Sequence, residues 1–280
     1  MSLYCRFMPR LLVALLLLAS VGLTFSVSAQ GVPNGPREDG AALAQRVYDR
    51  PAGDDVSARI LMRLHDNRGE PRERVMYSYA KDKGRAERWT LLRFIEPADI
   101  AGTGLLTLNY PGDVSDQWLY LPALDRVRRI ASTRKGGRFV GSDFFYEDLM
   151  DRQVEMDNHR LLGTELLLGV ECEVLESTPI EPGNSVYTRR IAWIHPELDL
   201  PLRVDFYQNN SEEPVKRLQA SEIRRVQGFW TVFDSTMHDL ISGHRTQMLT
   251  LDIKYNQDLP DELFQQRSLA DETVAIPFRP

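Results

Sequence analysis

The stretch VSARILMRLHD, Val56 to Asp66, alternates. Val56, Ala58, Ile60, Met62 and Leu64 fall on one side of an extended chain, and Ser57, Arg59, Leu61, Arg63 and His65 fall on the other. A period of two over this length marks a strand with one apolar face. The same reading extends to RVMYSYAKD, RAERWTLLRFIEP, GTGLLTLNYP, DQWLYLP and RVRRIAS. Further on, HRLLGTELLLGVECEVLESTPI holds a strand pair, and SVYTRRIAWIHP, LPLRVDFYQNN, VKRLQASEIRRV, FWTVFDSTMHDL and GHRTQMLTLDIKYN follow. Turn chemistry separates them at HPELDLP, NNSEEP, VQG and ISGH. About eleven or twelve strands at this spacing predict an antiparallel meander, not alternating βαβ units.

Two helical stretches stand beside the strands. In REDGAALAQRVYDRP, apolar residues recur at three and four, Asp39 can cap the start and Pro51 stops the end. The tail LPDELFQQRSLADE predicts a short helix. With so few helices, a long sheet with one apolar face must curl or close on itself. Charged residues such as Arg189, Arg190, Arg203 and Asp205 suit a solvated outer face. A curled sheet of this size is expected to enclose an apolar cavity.

Upstream, Arg6 and Arg10 precede an apolar run, LLVALLLLASVGLTF, which ends in SVSAQ. This is the layout of a secretory signal peptide cleaved after Ala29, and it points to the periplasm; the alternative is an uncleaved anchor helix. Removing residues 1–29 takes away two positive charges and no negative ones, so the net charge moves from −6 to −8. That balance argues against nucleic acid and against an anionic membrane as main partner. Cys172 is then the one cysteine left, so no internal disulfide forms, and it reads as a buried apolar residue in a strand. Residues 30–280 read as a single domain.

Catalytic signatures are missing: there is no G-x-S-x-G, phosphate loop, H-E-x-x-H or C-x-x-C. No metal or cofactor is expected. The segment RFVGSDFFYEDL, Arg138 to Leu149, gathers Phe144, Phe145 and Tyr146 between Asp143 and the pair Glu147–Asp148. An acid/base pair would need two carboxylates in different environments, and no base or nucleophile accompanies these. A short helix FFYEDLM, capped by Ser142 or Asp143 and with Glu147 and Asp148 on its wet side, fits better. Its aromatics would make it a lid over an apolar concavity, or a packed turn. The basic run Arg126, Arg128, Arg129, Arg134, Lys135 and Arg138 reads as a solvated edge that blocks strand pairing, or as a docking face for an acidic partner or lipid head group.

WLYLPALDRVRRI (Trp118 to Ile130) and GSDFFYEDL (Gly141 to Leu149), together with the signal peptide, give the chain its family likeness. It resembles the outer-membrane lipoprotein-sorting family, the LolA-like periplasmic carriers, in their larger branch associated with RND-superfamily exporters. The resemblance implies a mainly β fold: a strongly curved antiparallel sheet or half-open β-barrel of about eleven strands with a few covering helices. It also implies a non-enzymatic carrier or chaperone for a lipoprotein or lipid ligand, and no catalytic residues. A sensor using the same cavity is the first rival, and a hydrolase using Asp143 and Glu147 the second. The candidate lid and cavity residues are Phe139, Phe144, Phe145, Tyr146, Trp89, Trp118 and Trp193. The candidate docking residues for a partner, such as an RND exporter, are Arg126, Arg128, Arg129 and Arg134.

Overall fold

The computed structural model describes residues 39–280 apart from 67, 68, 85, 113 and 182. The leader expected at 1–29 lies outside the described residues. Helix α1 (Gly40–Tyr48) comes first, and Asp39 accepts a hydrogen bond from the Ala41 amide at its N-terminus, as expected of a cap. Six strands follow: β1 (Asp55–His65), β2 (Arg72–Gly84), β3 (Glu87–Glu96), β4 (Gly104–Tyr110), β5 (Val114–Leu121) and β6 (Arg126–Arg129). After an irregular segment, seven more complete the chain: β7 (Asp157–Leu167), β8 (Val170–Pro179), β9 (Arg189–His195), β10 (Leu200–Tyr207), β11 (Lys216–Val226), β12 (Phe229–Asp239) and β13 (Arg245–Tyr255). Every run read as a strand is one, and the count among the described residues is thirteen, slightly above the eleven or twelve expected.

All thirteen strands form one sheet, in the order β6-β5-β4-β3-β2-β1-β13-β12-β11-β10-β9-β8-β7. Each neighbouring pair is antiparallel, including β1 with β13 at the centre. Consecutive strands β6 and β7 are therefore the two outer edges. Residues 130–156 must cross from one edge to the other, and they do so as a strap laid over one face of the sheet.

Register shows how that face is built. Leu92 pairs with Leu105, and Leu105 with Leu119, so their side chains share a face. That face packs on the strap through Met62, Met76, Phe94 and Phe139. On the opposite face, Leu91 pairs with Leu106 and Leu106 with Trp118. Here the solvated outer face that the charged strands suggested is absent. Residues 257–279 cover β2–β5 with Leu259, Leu263, Phe264, Leu269 and Ala275. The tail is three 3-10 turns (Asp261–Phe264, Gln266–Leu269 and Thr273–Phe278), not the expected helix. Its backbone is bonded to sheet side chains: Asp55 accepts from the Gln257 and Leu259 amides, Lys81 donates to the Leu259 carbonyl, and Arg93 donates to the Ser268 carbonyl. Those bonds replace the ones a helix would have made internally.

Candidate functional site

The strap is where the aromatic and acidic residues of RFVGSDFFYEDL lie. It is not the helix FFYEDLM. It has 3-10 turns at Phe139–Gly141 and Glu147–Leu149, joined by extended backbone. A bridge between Arg138 and Phe145 folds it into a tight loop, with Phe139 N–H donating to the Phe144 carbonyl. Phe139 is buried, stacked on Phe94 with centroids 5.7 Å apart, and Tyr146 meets its edge at 6.1 Å. Phe144 is buried among Tyr187, Phe206 and Met237. Phe145 stacks on Tyr187 at 6.0 Å. The cluster around the strap draws side chains from nine of the thirteen strands, β1–β5 and β10–β13. The strap's own rings occupy this face over β1–β5 and β10–β13, and an apolar pocket of about 210 Å³ lies beside them, lined by Val47, Val154, Leu175, Ala192, Ile194 and Val204 among others.

Glu147 and Asp148 were expected on the wet side, with Asp143 a candidate cap, and the structure corrects this. Asp143 and Glu147 are buried, and so is the Asp148 side chain. Each meets a cation. Arg138 reaches Asp143 at 2.5 Å and also pairs with Asp239. Thr246 both accepts from the Asp143 amide (2.9 Å) and donates to its carboxylate (2.8 Å). Arg190 reaches Glu147 at 2.5 Å, while the Val186 amide (2.7 Å) and the Ser185 hydroxyl donate to the same carboxylate. Lys216 lies 2.6 Å from Asp148, which also accepts from the Tyr187 hydroxyl (2.8 Å) and the Phe145 amide (2.7 Å). A buried carboxylate persists only when paired and hydrogen-bonded, and all three are. Each of the three carboxylates is thus committed to a cation and to hydrogen-bond donors.

Burial holds the Lys216 amine below its ordinary range, with Asp148 opposing. Its ammonium sits 3.6 Å from the Phe145 ring centroid, so the aromatic face supplies part of the missing solvation. Burial, and then Asp148, push the Tyr187 phenol far above its ordinary range. The strap is therefore held in two ways. Ion pairs tie it to β9, β11 and β12 and the Thr246 hydroxyl ties it to β13, where Phe144 also packs; on β1–β5 it rests mainly on rings and aliphatic side chains, with Arg74 and Gln117 donating to its carbonyls.

The candidate residues do not form one cluster. Phe139, Phe144, Phe145 and Tyr146 come together in the strap. Trp89 and Trp118 pack on the opposite face of the sheet, under the C-terminal tail, with Trp89 at 6.0 Å from Phe264. Trp193 belongs to a third cluster with Cys172, Val174, Leu200 and Leu202, and donates to Glu165 at 2.7 Å. Arg126, Arg128 and Arg129 form the exposed edge strand β6, where Arg129 pairs with Asp116, and Arg134 is exposed in the strap. Lys216 and Thr246, which anchor the strap, were missed by sequence reading, and Arg190, read as suiting a solvated face, is turned in against Glu147. A basic residue at the start of a strand was the signal at Arg190 and Lys216; nothing marked Thr246.

This architecture is shared. A domain named as an outer membrane lipoprotein-sorting protein from Vibrio parahaemolyticus is 31% identical, with a TM-score of 0.78, over 82% of this chain and 98% of its own. The chain belongs to the outer-membrane lipoprotein-sorting family. A second member of matching fold is a DUF1329 family protein from Desulfovibrio piger, 30% identical with a TM-score of 0.78, over 82% of this chain and 97% of its own. A LolA superfamily protein from Nitrosomonas europaea is 19% identical with a TM-score of 0.64, over 82% and 99%, a likeness of fold. A family model described as "Uncharacterized protein" matches residues 86–271. No curated protein matches. For this lipoprotein-sorting family member, the strap sits inside the matched region.

Proposed function

We propose that the protein is a periplasmic carrier or chaperone for an acylated or lipidic ligand, exported by a leader cleaved after Ala29 and built as one domain from residue 30. The observation that carries this reading is the strap. With α1 beside it over β8 and β9, it covers one face of a thirteen-stranded sheet, and its contact with β1–β5 is mainly apolar, through Met62, Met76, Phe94, Leu105 and Leu119, with hydrogen bonds from Arg74 and Gln117 to its Val140 and Tyr146 carbonyls. An acyl chain can replace those ring contacts like for like, because burial of apolar surface is non-directional. The strap's charged anchors on the other half of the sheet would stay in place. The exposed Arg126, Arg128 and Arg134 are proposed as the docking face for a membrane partner, such as an RND-superfamily exporter.

Native mass spectrometry of protein isolated from its own periplasm tests the reading, together with titration of a fluorescent fatty acid. A co-purifying lipid or lipoprotein and saturable probe binding are expected. A clean apo mass with no probe binding, alongside tight binding to another periplasmic domain, would replace the carrier by a sensor.

A further inference from the structure

Away from the strap's aromatics, a pocket of about 450 Å³ opens between the end of α1, the chain that follows it and the β2–β3 turn. That volume is in the range of small-ligand sites. Its charged lining is Arg50 and Arg88 against Asp49, Asp54, Asp82, Glu87 and Asp151, with Tyr48 beside them. The charges in it are unevenly satisfied. Arg88 lies 3.1 Å from Asp82 and 3.7 Å from Asp151, and Tyr48 donates to Asp151 at 2.9 Å. Arg50 is half-buried, and its one hydrogen bond goes to the Trp230 carbonyl at 3.3 Å. Among the described residues it has no carboxylate partner. Burial lowers its pKa, Tyr255 opposes, and the nearby positive charge of Arg88 lowers it further. On the other wall Asp54 is exposed, and its carboxylate has no protein partner among the described residues. Its contacts are through backbone: its amide donates to Asn256 (2.9 Å) and its carbonyl accepts from Asp82 (2.8 Å).

A partly buried guanidinium beside a second one favours an anion, because desolvated charge is costly unless paired. A simple anion, however, would also face Asp54 and Asp82. A simple amine would face Arg50 and Arg88. We infer that the pocket binds a zwitterionic group, with a phosphate or carboxylate against Arg50 and Arg88 and an ammonium a few bonds away against Asp54 and Asp82. Phosphoethanolamine has that chemistry, either as the head of a lipid or as a free solute. Asp151 at the end of the strap borders the pocket, but none of the strap's rings lines it, so its ligand and an acyl chain are tested by different probes.

Calorimetric titration of the whole protein tests it, with O-phosphoethanolamine, inorganic phosphate and ethanolamine as probes. O-phosphoethanolamine is expected to bind at least roughly tenfold more tightly than either fragment. Arg50→Gln and Asp54→Asn should each weaken it by a similar factor while leaving the thermal melt and fluorescent fatty-acid binding unchanged. Short-chain phosphatidylethanolamine, run beside phosphatidylglycerol of the same chain length, separates the sources. Tighter binding of the former than of free phosphoethanolamine assigns the site to a lipid head, and equal binding assigns it to a solute. Wild-type protein that takes up no O-phosphoethanolamine, or an Arg50→Gln variant that binds it unchanged, would overturn the inference. If Arg50→Gln fails to fold, the wild-type comparison of the three probes decides alone.

Discussion

Lys216 and Asp148 are 3% and 4% exposed and lie 2.6 Å apart, with the strap on one side of the pair and β11 on the other. Removing one member of a buried pair leaves an uncompensated charge, which costs about 3–5 kcal/mol, whereas replacing both is often far milder. Lys216→Met should therefore lower unfolding stability by an amount in that range, and Lys216→Met with Asp148→Asn should recover much of it in denaturant melts. A single variant no less stable than the double would show the pair to be incidental. Phe139 makes a different argument. Its ring lies between the strap and Phe94, where an acyl chain is proposed to go. Phe139→Ala should destabilise the apo protein by up to about 3–5 kcal/mol and strengthen fatty-acid probe binding, because the competing ring is gone. A lower melting temperature with unaltered probe affinity would make the strap a packed turn and nothing more. At this scale the sequence showed the aromatics and the acids but not their partners. Arg190 is 43 residues beyond Glu147, Lys216 is 68 beyond Asp148, and Thr246 is 103 beyond Asp143. Local patterning carries no information about pairings at such separations, so acids that are buried read as wet.

Strands were legible because a period of two needs no knowledge of partners, and α1 was legible because Asp39 and Pro51 mark its ends. The second covered face was not. The signal lay in the sequence all the same: Leu91-Leu92 and Leu105-Leu106 break the alternation, as strands buried on both sides do. The tail that covers that face lacks helical periodicity, because its residues answer to sheet pockets and not to each other. Another element-level unit is β10 with β11. Asp205 is 2% exposed at its side chain and takes two hydrogen bonds each from Arg203 and Arg217. Burial alone would raise its pKa, but the two guanidiniums outweigh burial and hold it below the ordinary 3.8. A group depressed in the folded state stabilises at pH above its unfolded value, and that stabilisation is lost as pH falls through the folded one. Asp205→Asn should therefore be less stable than wild type at neutral pH, with the gap narrowing below about pH 4. Denaturant midpoints measured from pH 7 to pH 3 would show this, and a constant gap would mean that Asp205 acts by shape alone.

On the scale of the whole molecule, the order of strands makes the strap mechanically distinct. The central β1–β13 ladder joins the two halves of the sheet through a long run of paired residues. The strap joins the same halves only over the top, with ion pairs and the Phe144 cluster on one side and mainly apolar contacts on the other. Apolar contacts can be exchanged for a ligand's own chain, while the ladder has no substitute for its hydrogen bonds. Loading with an acyl ligand should therefore loosen one element and leave the other alone. The strap's backbone bonds, Phe139 to Phe144, Tyr146 to Gly137 and Glu147 to Lys135, report on this directly. In hydrogen–deuterium exchange, a saturating fatty acid is expected to speed exchange at Phe139, Tyr146 and Glu147 while β1 and β13 keep their protection. Simple stabilisation by a ligand bound elsewhere gives the opposite sign, because anything that binds only the folded state slows exchange through global opening. Slower exchange across strap and ladder together would place the ligand outside the strap's shelter and leave the concave face permanently filled by Phe139 and Phe144.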